Sequence, residues 1–241
     1  MSFQNAYQEL EKQMGLLAKT DNAAFLPNPE PEGPVNYVVI CMEPSLGRWA
    51  SSVKQAKSRV KEGFRNFLPS DETSILHFCI RHYLCRPGER YHITDLSKGA
   101  MSVADAEIGR EKRYKKWFEL LKKEIDLVAT PNARIIAVGN KVSQFLGKQQ
   151  EFRRPVTKVI HYSGQAGNAR IKGIKSKDEK FQAFKNSVSH DDLVATAKDV
   201  LATAGIPIKI QEETLSRLKN FKLTDSRRKL IFNYKEEFES I

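Results

Sequence analysis

The sequence predicts an α/β protein, a three-layer α/β/α sandwich around a four-stranded, mostly parallel sheet. Short β-branched runs such as Val38–Cys41 are apolar throughout, without the alternation of a half-exposed strand. Strands of this kind are typical of parallel sheets that are covered on both faces. They alternate along the chain with segments of helical periodicity, which is the pattern of parallel strands joined by helical crossovers. A chain of 241 residues is long enough to bury such a core.

The first half of the chain begins with a helix and a proline-rich connector. Apolar residues recur at intervals of three and four over residues 1–20, and four prolines within residues 27–34 prevent that helix from continuing. β-Branched runs and helical spacing then predict, in order, a strand at 35–41, a helix at 51–67, a helix at 73–84 capped by Asp71, and a strand at 91–94.

The second half contains the clearest amphipathic helix, residues 110–129, whose apolar positions lie opposite a basic face. Ser189 and Asp192 have the spacing of a capping box, which predicts a helix from residue 190 onward. The remaining predictions are strands at 134–138 and 156–160, a short helix between them, and helices up to residue 241. We therefore expect three parts: a connector (1–34), an α/β core (35–188) and a helical extension packed on it (189–241).

Polar residues or glycine follow the four predicted core strands. Glu43, Asp95, Gly139 and His161 lie at or just after the strand ends, in that order. Ligands of open α/β sheets bind just outside the carboxyl ends of parallel strands, so these four termini predict a functional site. Two alternatives remain open: Glu43 caps the following helix or is solvated, and Asp95 caps its own turn.

Basic charge is unevenly distributed along the chain. The net charge is +11, and residues 141–180 hold ten basic and three acidic side chains. Residues 110–124 hold seven and three, whereas residues 190–241 hold nine of each. Concentrated basic charge predicts a polyanionic partner, most simply nucleic acid. The alternatives are a solvated basic surface or binding to anionic lipid.

The sequence predicts neither a membrane span nor a disulfide framework. No stretch approaches the roughly 18 apolar residues of a membrane helix, and the polar N-terminus lacks a signal-peptide pattern. The three cysteines, Cys41, Cys79 and Cys85, fit a reducing compartment. We expect a cytoplasmic protein without a membrane partner, and a monomer.

His77, Cys79, His82 and Cys85 have the residue types of metal ligands. On one helix, however, they point in different directions and spread over about 12 Å along the axis. Such side chains cannot all reach one ion at about 2 Å. We therefore expect no metal and no cofactor.

Two segments together resemble the signature motifs of the uracil-DNA glycosylase superfamily. Met42-Glu43-Pro44 after a strand resembles its first catalytic loop, and His161-Tyr162-Ser163-Gly164 resembles its His-Pro-Ser motif. The strand within Ala133–Gly139 lies between them, and the order agrees over roughly residues 35–175. The chain departs from the pattern at Cys41, where glycine is usual, and at Tyr162, where proline is usual.

The resemblance implies hydrolysis of an N-glycosidic bond in DNA by a monofunctional enzyme. In such a reaction positive charge develops on the sugar and negative charge on the departing base. Glu43 would stabilise the sugar and orient or deprotonate water, while a neutral His161 would donate to a carbonyl oxygen of the base. The alternative for His161 is a structural hydrogen bond.

The resemblance also implies which residues contact the base. Asp95 corresponds to the position that reads the base edge, and a carboxylate accepts a hydrogen bond from the N4 amino group of cytosine. Ser45, in place of a blocking tyrosine, leaves space for a C5 substituent, and Met42 and Phe64 complete the expected contacts. This combination resembles phage-defence glycosylases that excise glucosylated hydroxymethylcytosine. The alternative substrate is uracil or hydroxymethyluracil, as in a repair enzyme.

Extruding a base from duplex DNA requires contacts to the backbone and to the vacated space. We predict that a basic loop, Ser163–Lys175, supplies many of them, with a merely flexible loop as the alternative. The expected DNA-binding residues are Ser163, Gly164, Gln165, Asn168, Arg170, Lys172, Arg153 and Arg154. Two other functions stay open: a non-catalytic nucleic-acid-binding module, and an unrelated α/β hydrolase or transferase for a small anionic molecule.

Overall fold

The computed structural model describes residues 2–47 and 49–241, apart from the side chain of Gln165. The chain divides into two compact units. The first comprises Met1–Asn66 and Arg90–Lys158, and the second comprises Phe67–Glu89 and Val159–Ile241. Among the described residues, no helix is both long enough and apolar enough to span a membrane.

The helices and strands follow the alternation expected from the sequence. The strands are β1 (Ala24–Phe25), β2 (Val35–Cys41), β3 (Tyr91–Asp95), β4 (Gly99–Ala100), β5 (Ala129–Val138) and β6 (Val156–Val159). The helices are α1 (Phe3–Thr20), α2 (Val53–Lys61), α3 (Glu72–Cys79), α4 (Val103–Glu107), α5 (Arg110–Val128), α6 (Asn140–Gly147), α7 (Gly167–Ile174), α8 (Asp178–Phe184), α9 (His190–Thr203), α10 (Ile208–Lys219) and α11 (Asp225–Phe238). A π-helical turn, Ile80–Leu84, continues α3.

The central sheet has four strands in the order β3-β2-β5-β6. Strand β2 runs parallel to both of its neighbours, with Cys41 opposite Asp95 of β3 and Ile40 opposite Ala137 of β5. A separate two-stranded antiparallel ribbon joins β1 to β4. The predicted α/β class with a four-stranded, mostly parallel sheet is therefore confirmed.

Apolar side chains bury both faces of the sheet. On one face, Val38 and Ile40 of β2 pack with residues of α1, α5 and α6, among them Phe118 and Phe145. The side chains that alternate with them, such as Val39, are equally buried. Burial on both faces is consistent with the three-layer α/β/α arrangement and explains why β2 is uniformly apolar.

Two local predictions were wrong for identifiable reasons. Asp71 lies at the N-cap of α3 but makes no side-chain capping hydrogen bond, because its φ of 49° departs from the extended conformation that capping needs. Residues 163–175 form a 3₁₀ turn, Gly164–Ala166, and helix α7 where the glycines predicted a loop. The low helix propensity of glycine does not decide the structure here. Gly173 packs closely on α11, where a β-carbon would clash with Asn233.

The second unit is helical, as the sequence predicted for residues 190–241. Ser189 and Asp192 form the expected capping box at the start of α9. Ile174, Phe181 and Phe232 form an apolar cluster that joins α7, α8 and α11. The unit therefore has a core of its own.

A buried ionic network crosses the first unit beneath the loop that follows β3. Glu124 of α5 accepts hydrogen bonds from Lys98 Nζ at 2.6 Å, His92 Nε2 at 2.8 Å and Thr94 Oγ1 at 2.9 Å. All four residues are buried. Burial alone would raise the pKa of Glu124, but the Lys98 ammonium and the His92 ring outweigh it and lower that pKa to about 2. The network ties the loop after β3 to α5.

Glu124→Ala should therefore destabilise the protein strongly, because it leaves the Lys98 ammonium buried without its counter-ion. We expect the free energy of unfolding in urea at neutral pH to fall by about 3–5 kcal/mol. Glu119→Ala removes an exposed carboxylate from the same helix and should change it by less than about 0.5 kcal/mol.

The same group predicts a pH dependence. The folded-state pKa of Glu124 is lowered, so its stabilisation is complete above the ordinary value of 4.5 and is lost as pH falls toward 2. The wild-type protein should lose more stability than Glu124→Ala over this range in urea titrations. Equal losses would contradict the assignment.

Candidate functional site

The register of the sheet places the carboxyl ends of β2 and β3 side by side. Cys41 lies opposite Asp95, and the two strands continue past their ends as hydrogen-bonded loops. The Leu96 N–H donates to the Cys41 carbonyl at 2.9 Å, and the Ser97 N–H donates to the Met42 carbonyl at 3.3 Å. The structure therefore brings together two predicted site segments of the first unit, the Glu43 loop and Asp95.

Glu43 is held by two side chains of α5 that lie one helical turn apart. Its Oε1 accepts from Arg110 Nε at 3.0 Å and from Arg110 Nη2 at 2.8 Å, and its Oε2 accepts from the Tyr114 hydroxyl. The Glu43 side chain is only 3 % exposed. These three donors occupy three of the roughly four acceptor positions of a carboxylate, which leaves about one for water or a ligand.

The charge of Glu43 reflects two opposing effects. Burial raises the pKa of its carboxyl group, and the Arg110 guanidinium opposes that rise through both its charge and its hydrogen bonds. Arg113 and Lys141 act in the same direction as Arg110. Arg110 is therefore the main group that favours the anionic form of Glu43 in a desolvated position.

Asp95 is the most buried of the predicted site residues in the first unit, at 3 % exposure. Its Oδ2 accepts a hydrogen bond from Asn66 Nδ2 at 2.6 Å. Burial raises the pKa of Asp95 to about 8, although Lys98 and the Asn66 amide act to lower it. At neutral pH Asp95 is therefore mostly a neutral acid, which can donate as well as accept a hydrogen bond.

The other predicted base-contacting residues lie around this edge of the sheet. Ser45 is exposed and pairs with Met101 in an isolated bridge, while Met42 packs against the core. Phe64 stacks on Trp49, with ring centres 4.9 Å apart and planes 5° apart. The ring of Phe64 is thus engaged with another aromatic side chain.

A pocket of about 520 Å³ opens beside the bridge between Ser45 and Met101. Its lining includes Met101, Lys112 and Lys116. The Lys116 ammonium is paired with Asp21 at 3.0 Å. The lining does not include Glu43, Ser45 or Asp95, so this pocket is separate from the two carboxyl groups.

His161 belongs to the second unit. Its Nδ1 accepts a hydrogen bond from the Ser163 N–H at 3.0 Å, so the neutral ring carries its proton on Nε2. Burial lowers the pKa of His161 to about 4, and the nearby Arg170 guanidinium contributes to the decrease. No described residue accepts a hydrogen bond from Nε2. His161 is thus a neutral imidazole with an available donor.

Hydrogen bonds from two helices hold the segment around His161. Arg170 of α7 donates to the carbonyl oxygens of Tyr162 at 2.5 Å and Ser163 at 2.8 Å. Tyr234 of α11 donates to the Ile160 carbonyl at 2.9 Å. The backbone on both sides of the imidazole is therefore fixed.

The predicted DNA-binding residues of the second unit differ in their exposure. Arg170 is buried, at 3 % exposure, so it supports the His161 loop and is not a surface contact. Gly164, Asn168 and Lys172 are exposed in the second unit. Ser163 is half-buried there, and the side chain of Gln165 lies outside the described residues.

In the first unit, Arg153 is exposed, and Arg154 forms an ion pair with Asp126 at 3.4 Å. Neither arginine lies in a helix or strand. Both remain candidates for phosphate contacts.

The histidines and cysteines near α3 have partners or are buried. His77 Nε2 lies 2.6 Å from the Phe67 carbonyl oxygen, and His82 Nε2 lies 3.3 Å from Thr196 Oγ1. Burial raises the pKa of the Cys79 thiol. Within the described part of the chain, no group of three or more His, Cys, Asp or Glu side chains is arranged to hold a metal ion.

Sequence reasoning missed Arg110, Tyr114 and Asn66. Arg110 and Tyr114 are four residues apart on the clearest amphipathic helix, and that spacing places both on one face. Which carboxylate they bind depends on the tertiary structure and cannot be read from the local sequence. Nothing local in the sequence points to Asn66, because its partner Asp95 is distant in the chain.

Comparison of the chain with protein-family models, with curated proteins and with solved structures finds no match in any of the three. The resemblance to the uracil-DNA glycosylase superfamily therefore rests on the motif residues alone.

Arg110→Met should raise the pKa of Glu43, because the carboxylate stays buried while its counter-ion is lost. The measurement is a titration of the Glu43 carboxyl carbon by ¹³C NMR, which requires no knowledge of the substrate. Arg134→Met, which replaces an exposed arginine near the middle of β5, is the matched control and should leave that pKa unchanged. An unchanged pKa in Arg110→Met would show that another group keeps Glu43 charged.

Proposed function

We propose that the protein is a monofunctional DNA glycosylase that hydrolyses the N-glycosidic bond of a modified base and leaves an abasic site. The observation that carries the proposal is the pair of carboxyl groups at one sheet edge, with Glu43 fixed by Arg110 and Asp95 largely protonated. Their proton states and positions suit two different tasks: stabilising a cationic sugar and reading the edge of a base.

The reaction breaks the bond between C1′ of the sugar and the base nitrogen. A water molecule adds its oxygen to C1′ and gives up a proton, and the departing base gains a proton overall. Glu43 would stabilise the positive sugar electrostatically and accept the proton of the water through its remaining acceptor position. Its burial strengthens this interaction, since charges in a desolvated site are poorly screened.

His161 would stabilise the other half of the broken bond. Its low pKa keeps the ring neutral at physiological pH, and its protonated Nε2 can donate to a carbonyl oxygen of the base. Negative charge that develops on the base would strengthen this hydrogen bond in the transition state.

A C5-substituted cytosine is the substrate class that we propose. A neutral Asp95 can donate to the ring nitrogen N3 of cytosine and accept from its N4 amino group. The exposed Ser45 leaves room on its side for a large C5 group, such as a glucosylated hydroxymethyl. That base occurs in phage DNA, so we propose a role in defence against phage.

Glu43→Gln and His161→Ala should each reduce excision by at least about 100-fold, the usual contribution of a general acid or base. Binding of undamaged DNA should survive in both. The assay uses oligonucleotides with uracil, hydroxymethyluracil, methylcytosine or glucosylated hydroxymethylcytosine and identifies released bases by mass. Glu119→Gln is a surface control on α5 and should retain full activity. Retained excision in both site variants would refute the assignment.

One observation favours a second candidate, a non-catalytic DNA-binding module on the same fold. Both oxygens of Glu43 already have donors, as they would in a purely structural ion pair. This alternative predicts salt-sensitive DNA binding with no alkali-labile product from any substrate in the panel.

Asp95→Asn should leave the preference for cytosine-like bases largely unchanged, since an amide offers the same donor and acceptor as a neutral carboxylic acid. In the wild-type enzyme, kcat/KM for a cytosine substrate should fall as pH rises through about 8, because the ionised Asp95 no longer donates. That basic limb should disappear in Asp95→Asn. An identical pH profile in the two proteins would remove Asp95 from base reading.

A further inference from the structure

Residues 45–66, here called the arm, leave the candidate site and return to it. The arm begins directly after the Glu43-Pro44 turn, where Ser45 pairs with Met101. It ends at Asn66, whose amide donates to Asp95 at 2.6 Å. Both ends of the arm are thus attached to the sheet edge that carries the two carboxyl groups, and helix α2 lies between them.

Aromatic and apolar contacts hold the arm closed. Trp49 precedes α2 and Phe64 follows it, and their rings stack with centres 4.9 Å apart. The indole N–H of Trp49 also donates to the Ser45 carbonyl at 2.9 Å. Val53 and Val60 of α2 pack in the same cluster as these rings. The described residues of the arm are therefore packed into the first unit.

The outer side of α2 carries positive charge that is not balanced within the protein. Lys54, Lys57 and Lys61 are exposed, and none of the described carboxylates pairs with them. The single acidic residue of the arm, Glu62, is bonded to Arg59 at 3.4 Å and to Ser58 at 3.2 Å. No local anion therefore neutralises the three lysines.

The spacing of these lysines matches one strand of DNA. At 3.6 residues per turn, Lys54, Lys57 and Lys61 project within a stripe about 60° wide, beside the apolar face of α2. They extend over about 10 Å along the helix axis. The three ammonium groups are therefore close enough together to contact neighbouring phosphates of one DNA strand.

We propose that the lysine stripe of α2 is a binding site for the DNA backbone beside the candidate site, with one phosphate for each of Lys54, Lys57 and Lys61. The proposal rests on the proposed function only in taking DNA as the partner. The stripe lies on the segment that joins Glu43 to Asn66, so the chain connects it at both ends to residues of the candidate site. Phosphate contacts of this kind position the strand without reading its sequence.

The test measures binding of an undamaged, fluorescein-labelled DNA duplex as a function of salt, by fluorescence anisotropy. Replacing all three lysines by glutamine should make the slope of log K against log [salt] less steep by about 2.7, which is about 0.9 for each lost phosphate contact. A triple lysine-to-arginine variant should keep the wild-type slope, because it retains the charges.

The matched control removes the same charge from the second unit, as Lys198→Gln, Lys209→Gln and Lys219→Gln. These lysines are exposed, and we expect the slope to stay within experimental error of the wild-type value. An equal loss of slope in both triple variants, or no loss in the α2 variant, would overturn the proposal. Wild-type binding to phosphatidylserine vesicles with none to DNA would overturn it in favour of a lipid surface.

This measurement separates the arm from the catalytic proposal, because the duplex contains no modified base. A reduced slope in a protein that excises no base would support the lysine stripe as a DNA-binding site and count against the glycosylase proposal. Active excision, with an unchanged slope in the triple lysine-to-glutamine variant, would support the glycosylase proposal and refute the lysine stripe as a DNA-binding site.

Discussion

The parallel register of β2 and β3 is the constraint on which the rest of the candidate site depends. Because Cys41 pairs with Asp95, the segments that follow both strands emerge at the same edge and continue as hydrogen-bonded loops. A slip of one residue would turn every side chain of β2 to the opposite face of the sheet. Val38 and Ile40 pack with residues of α5 while Val39 is buried on the other face, so such a slip would disrupt the packing of both layers. The apolar core thus fixes where the Glu43 loop begins.

Helix α5 carries two charges whose positions do not favour its own stability. Arg110 in its first turn and Glu124 near its end both have the wrong sign for the helix dipole. Each is matched by an opposite charge from a site loop, Glu43 for Arg110 and Lys98 for Glu124. Buried ion pairs of this kind add little net stability. Their positions are better explained by what they hold, the loops that follow β2 and β3.

Much of the fold was predictable from the sequence because its signals are local. The bounds of β2 and α5 follow from uniform apolarity and from helical spacing, and the capping box of Ser189 and Asp192 is a short-range pattern. Residues 163–175 were mispredicted because their glycines favour a loop, whereas Gly173 serves the close approach of Asn233, which is distant in the chain. Glycine content alone carried no information about that contact.

The candidate site was predictable only in part. Strand ends predicted that the Glu43 loop and Asp95 lie at one edge of the sheet, since position in an α/β fold follows from the order of elements. The partners of Glu43 and Asp95 come from residues 67 and 29 positions away in the chain. The sequence also does not show which side chains are buried. Arg170 is buried in the structure, where it supports the His161 loop.

The two carboxyl groups at the sheet edge influence each other's proton state. Burial is the main cause of the high pKa of Asp95, and the negative charge of Glu43 adds to it. Arg110 acts to lower the pKa of Glu43 against the effect of burial, so it also favours the proton on Asp95 indirectly. Like charges in a desolvated site cannot both be ionised cheaply, which divides the pair into one anion and one acid. The same guanidinium therefore supports both roles that the proposed chemistry needs, a base at the sugar and a donor at the nucleobase.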